Sequence, residues 1–187
     1  MICCTAGGRT LGQFALVSYI PDPLGRFLDD LRTHLTPGSK PRAHVTVLPP
    51  RPLTAEIDKT VKRLAEESQS CPPFDVSLGD IKVFPKTNVL YLSLARGEHE
   101  LHALHENLNT GQLEYDGPFP YHPHVTIAQD ISPDDVPRLL EEARRQWAKY
   151  DGPRSFPVEI LTFVQNVAPL TWVDIAAFPL AVPVLAR

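Results

Sequence analysis

Cysteine is scarce in this chain of 187 residues: Cys3, Cys4 and Cys71 are the only three. An odd count with two adjacent members builds no disulfide framework. It reads instead as free thiols in a reducing compartment. No apolar run reaches the ~20 residues that span a bilayer. The opening stretch has no basic residue ahead of its apolar ones, Arg9 and Gln13 interrupt it, and Pro21-Asp22-Pro23 ends it. The expectation from that pattern is a flexible start and then a strand, not a signal peptide, in a cytoplasmic protein. Excess positive charge is also missing. Eighteen Lys and Arg face 22 Asp and Glu, for a net charge of −4 and a pI near 5.9. Long nucleic acid is gripped mainly by neutralising phosphates, so a surface for a long duplex is not expected. One small phosphate held in a pocket remains compatible with this balance.

What is present suffices for a core without disulfides or metals. The chain is 43% apolar and 21% charged, as in globular proteins, and its length allows substantial burial. We expect one domain over 1–187, a monomer. Twenty prolines punctuate it. Between them, apolar runs and alternation predict strands at 14–20, 44–48, 74–84, 89–94, 125–128, 156–167 and 172–178. The spacing of leucines predicts helices over 24–35 and 98–108. A helix near 57–65 is expected to be capped by Thr54, and another begins at Ser132-Pro133-Asp134-Asp135 and runs to about 150. Each half closes in the same order: histidine strand, helix, two strands. This is a weak internal repeat, giving an α+β duplication with one lobe at about 14–88 and another at about 89–180. No linker separates them, so an interleaved arrangement stays open.

The repeated strands read His44-Val45-Thr46-Val47 and His124-Val125-Thr126-Ile127. Side chains two apart on a strand share a face. Each His therefore sits beside its Thr, and the aliphatic residues face the core. Seven His and twelve Thr predict roughly 0.45 His-x-Thr triplets by chance. Two flanked by four apolar residues, at matching places in the halves, are hard to obtain by accident. Cleaving a phosphodiester needs a base for the attacking oxygen and an acid for the leaving one, and histidine titrates near working pH. Two histidines facing across a cleft suit in-line displacement. Threonine hydroxyls beside them can donate to the non-bridging oxygens.

These residues carry a resemblance. Paired His-x-Thr-x strands about eighty residues apart are similar to those of the 2H phosphoesterase superfamily. The stretches from His44 to Arg51 and from Tyr121 to Ile127 resemble its bacterial 2′-5′ RNA ligase-like branch. The resemblance implies a bilobal fold with antiparallel sheets around a central cleft and helices outside. It implies hydrolysis, or reversible ligation, of 2′,3′-cyclic phosphates or 2′-5′ linkages in nucleotides or RNA ends, without a cofactor or metal. The motif positions map onto His44, Thr46, His124 and Thr126. For hydrolysis His124 is expected to be the base and His44 the acid, exchanged in the ligating direction.

Four further residues are candidates for substrate binding. Arg51, after the first His strand, could hold a phosphate at the cleft mouth. Arg42 shares the His44 face by alternation, with Lys40 nearby. Tyr121 and Phe84 could stack on a base, or simply fill the wall. His122 shares the His124 face if the strand begins that early, a pairing that could suggest a metal site, whereas His99, His102 and His105 recur at helical spacing of three and converge poorly for a metal. Two rival readings remain: a non-catalytic module that binds nucleotides or RNA ends in the same cleft, and a metallohydrolase using the extra histidines.

Overall fold

The computed structural model describes residues 12–38 and 42–181. Cys3, Cys4, Lys40 and most of the opening stretch lie outside them. The order is β1 (Phe14–Tyr19), α1 (Leu24–Leu35), β2 (His44–Arg51), α2 (Ile57–Ser68), β3 (Phe74–Phe84), β4 (Val89–Arg96), α3 (Glu98–Leu108), β5 (Val125–Ala128), α4 (Val136–Lys149), β6 (Ser155–Val158), β7 (Ile160–Ala168) and β8 (Thr171–Pro179). The helices form where apolar residues recur every three or four positions. Leu24, Leu28, Leu31 and Leu35 are the buried stripe of α1, and Leu139, Ala143 and Trp147 that of α4. Each fully buried leucine stabilises by about 1.5–3 kcal/mol. Among the described residues no helix is long and apolar enough to cross a membrane.

Two four-stranded sheets carry the fold, in the orders β2-β1-β7-β8 and β5-β4-β3-β6. All their pairings are antiparallel. The expected division near residue 88 does not follow sheet membership. β3 pairs with β4 in the second sheet, and β7 and β8 complete the first. Helices exchange likewise: α1 packs against β5, and α3 packs against β2. The larger apolar core draws on both sheets and on α1 to α4, and a smaller cluster of Ala15, Val17 and Val164 lies apart from it. The α+β architecture is thus a duplication whose halves are threaded through each other.

Three local expectations need correction. The run at 156–167 is two strands in different sheets. Phe156 and Val158 face inward, but Glu159 and Ile160 are both exposed, and burial resumes at Leu161. That slip of phase is where the chain crosses between sheets. β2 continues through Pro49-Pro50 to Arg51, which registers with Phe14. Prolines are tolerated there because β2 is an edge strand. Thr54 does not cap α2. Its Oγ1 donates to the Gln112 carbonyl at 3.3 Å, and Glu56 occupies the cap position without a side-chain bond.

Candidate active site

The two histidine motifs sit on matching edges. β2 ends one sheet and β5 ends the other, and the two strands pack against each other. Val45, Val47, Val125 and Ile127 are each 0% exposed. The alternation therefore leaves His44, Thr46, His124 and Thr126 partly exposed on the opposite face. His44 Nδ1 lies 2.6 Å from the carbonyl of Arg42, and His124 Nδ1 lies 2.6 Å from that of His122. A carbonyl only accepts, so each Nδ1 carries the proton and each Nε2 is left bare. Among the described residues neither threonine hydroxyl is engaged in a hydrogen bond.

Burial pushes the His44 pKa down to about 4. The Arg42 carbonyl opposes the shift, and the charges of Arg32 and His124 add to it. Burial also lowers His124, opposed by the His122 carbonyl and reinforced by the His122 ring. The charge of His124 acts on His44, so the two imidazoles lie within electrostatic reach of each other. Arg32, on α1, is 3% exposed, and among the described residues its Nε and one terminal nitrogen have no hydrogen-bond partner.

The surroundings differ on the two sides. Tyr19, the cross-strand partner of His44, meets its ring edge-on at 6.4 Å. Arg42 lies over the Tyr19 ring at 3.8 Å, and the Tyr19 hydroxyl donates to Asp174 at 2.6 Å. A groove of about 580 Å³ opens here, lined by Tyr19, Arg42, Glu159, Thr162, Asp174 and Ala176 among others. None of the four motif side chains lines it; Tyr19 joins it to His44. On the other side Phe84 and Tyr91 stack at 3.9 Å, and His124 stands beside the stack, steeply inclined to both rings at 5.0 and 5.4 Å.

Of the secondary candidates, Arg51 is placed otherwise than expected, while Tyr121 and Phe84 take the wall-filling place left open for them. Arg51 is not at the cleft mouth: it is 3% exposed and lies seven residues beyond His44, roughly 20 Å along the strand. It donates to the carbonyls of Pro49 and Leu113 and to Asn109 Oδ1 at 2.5–2.9 Å. Its charge ties β2 to the segment after α3, and burial pushes its pKa down to about 10. Tyr121 is not a free platform either: His105 covers one face at 3.8 Å, and its hydroxyl donates to the Thr46 carbonyl at 2.9 Å. Phe84 is half-buried and committed to Tyr91 and His124. Arg42 remains exposed beside His44. Tyr19, Tyr91, Asp174 and His105 were not singled out from sequence for this site. For Tyr19 a signal existed, since it ends the strand that alternation pairs with His44. Among the described residues no group of three His, Cys, Asp or Glu is placed to hold a metal ion.

Comparison with known proteins adds the following. Proteins named as candidate phosphoesterases match part of the chain. One from Bacillus licheniformis is 31% identical over 110 residues, 58% of this chain and 64% of that one. One from Bacillus pumilus is 33% identical over 99 residues, 52% and 57% of the two chains. The chain thus spans about half to two thirds of the length of the curated relatives it matches. Among solved structures, LigT of E. coli in its apo form superposes with a TM-score of 0.60 at 18% identity, covering 92% of this chain and 99% of that one. A complex of LigT with 3′-AMP gives 0.61 at 17%, covering 91% and 99%. Usb1 of Kluyveromyces marxianus gives 0.56 at 14%, covering 91% and 98%. At these identities the likeness concerns the fold. The family model of the 2′-5′ RNA ligase superfamily matches residues 20–168, most of the chain, and this protein belongs to that superfamily.

Proposed function

We propose that the protein is a phosphoesterase that uses His44 and His124 as an acid–base pair. Its substrate class is 2′,3′-cyclic phosphates or 2′-5′ phosphodiesters in nucleotides or RNA ends, hydrolysed or reversibly ligated. The observation that carries this reading is the matched pair itself. Each imidazole is locked by its Nδ1–H to the carbonyl two residues earlier and leaves Nε2 bare. Each stands beside a threonine whose hydroxyl is unspent. In hydrolysis, His124 takes a proton from water and His44 gives one to the leaving oxygen. A depressed pKa makes protonated His44 a strong donor, and the negative charge of a bound phosphate holds the proton on it until transfer. Thr46 and Thr126 donate to the non-bridging oxygens as charge builds there. The chemistry calls for no metal. The groove beside Tyr19 and Arg42 has the size of a small-ligand pocket and would take the nucleoside. That LigT of E. coli has been solved with 3′-AMP supports a ligand of this size.

The test is a panel of nucleoside 2′,3′-cyclic phosphates and 2′-5′ dinucleotides, incubated with the protein in EDTA. Turnover of at least one is expected. Tight binding of a panel member without turnover would establish the binding-module reading instead. Activity abolished by EDTA and restored by zinc would favour a metallohydrolase.

A further inference from the structure

The motif strands belong to different sheets. No backbone ladder therefore fixes the gap between His44 and His124, and side chains must set it. We propose that His105 and Tyr121 are positioning residues: stacked together, they tie the first histidine strand to the segment carrying His124 and so hold the two imidazoles at working separation. The proposal rests on the reading that the pair acts on one phosphate.

The geometry is specific. His105 lies on α3 and its Nδ1 is 2.7 Å from the Val47 carbonyl, which makes that nitrogen the donor. Its ring is parallel to Tyr121 within 4° at 3.8 Å. The Tyr121 hydroxyl donates to the next carbonyl back, that of Thr46, at 2.9 Å. Two consecutive carbonyls of the first motif are thus held by one stacked unit. Tyr121 stands three residues before His124, with Pro123 buried between to stiffen the connection. His102, one turn before His105, meets Tyr121 edge-on at 5.2 Å. Burial raises the Tyr121 pKa and lowers that of His105, so both hydrogen bonds keep their neutral donors around pH 7. The histidines at helical spacing thereby gain a role: His102 and His105 hold the tyrosine, while His99 points to solvent.

Tyr121→Phe removes one O–H and keeps the ring stack. His105→Leu removes the bond to Val47, and His105→Asn returns an amide N–H near the place of Nδ1. Two readouts apply: kcat and KM on a cyclic phosphate, and the NMR titrations of the His44 and His124 imidazoles, which need no turnover. We expect kcat to fall about 10- to 100-fold in Tyr121→Phe and His105→Leu, as misplacement near 1 Å does. KM should stay within about twofold, and His105→Asn should recover most of the loss. The mutual dependence of the two imidazole titrations should weaken in Tyr121→Phe. Unchanged kcat, or a fall in kcat with the titrations still coupled as in the native protein, overturns the proposal. If the native protein turns over nothing, the proposed function fails on its own. The titrations then decide this inference: weakened coupling supports it, and unchanged coupling ends it.

Discussion

β2 carries His44 at the head of an eight-residue strand, whereas β5, which follows His124, has four residues. Both are sheet edges, both histidines bond the carbonyl two residues back, and both threonines stand two residues on. The walls differ. His44 looks onto a tyrosine, an exposed arginine and an aspartate, with buried Arg32 close enough to repel its charge. His124 stands beside the stacked rings of Phe84 and Tyr91. Duplication has preserved the part that sets tautomer and direction, which either catalytic role requires. It has let the environment diverge, and environment is what divides acid from base.

The largest expected effect tests that division. His44→Ala and His124→Ala should each lower kcat/KM for a 2′,3′-cyclic phosphate about 10²- to 10⁴-fold. The double variant should fall little further, because the two act as a unit. A phosphodiester with a nitrophenolate leaving group separates the roles, since that oxygen departs without a proton. On it, His44→Ala should recover most of its loss and His124→Ala should not. Equal recovery in both would mean that the different walls assign no different roles.

The strands and the motif pair could be read from sequence because both depend on local alternation. Val45, Val47, Val125 and Ile127 announce a buried face, and His and Thr are then forced onto the other. Sheet membership could not be read this way. It depends on which strands meet in space, and β3 pairs with β4 of the other half while β7 crosses back. The one local trace was the slip at Glu159-Ile160. Arg51 misled for a related reason. Adjacency to the motif suggested the cleft, but seven residues of strand carry it far away, to Asn109 and Leu113. The place of Tyr121 before His124 is visible in the sequence, yet its partner His105 is sixteen residues distant and on a helix, beyond any local pattern.

An intermediate effect concerns pH. Both histidines are depressed below the ordinary value of about 6.5. As pH falls from 6.5 toward 4, the unfolded chain takes up these protons before the native state does. Stability present above pH 6.5 is therefore lost across that window. For His44, which is partly exposed, the loss should be on the order of 2 kcal/mol. Urea unfolding at pH 7.5 and 5 should show it, and His44→Ala should lose part of it. The bell of kcat/KM should likewise centre below pH 6.5, since the free protein needs one protonated and one neutral imidazole. An optimum above pH 8, or flat stability over this range, would contradict the buried pair.

The smallest effect falls on the position two residues before each histidine, where the strands diverge most openly. Arg42 and His122 supply the same backbone carbonyl. Their side chains do different things: Arg42 lies over Tyr19, 3.8 Å from Asp174, while His122 meets Phe84 and Tyr91 edge-on. The Arg42 side chain is 64% exposed, and exposed ion pairs and cation–π contacts contribute about 1 kcal/mol or less. Arg42→Ala should therefore leave the thermal midpoint nearly unchanged. It should also leave kcat nearly unchanged, because alanine keeps the carbonyl that locks His44. What it removes is a positive charge at the groove, so KM should rise about two- to fivefold at low ionic strength. At 1 M salt, where charges are screened within about 3 Å, that difference should vanish. A hundredfold loss of kcat would show instead that the guanidinium reaches the reacting phosphate. The two strands would then differ in their catalytic parts and not only in their walls.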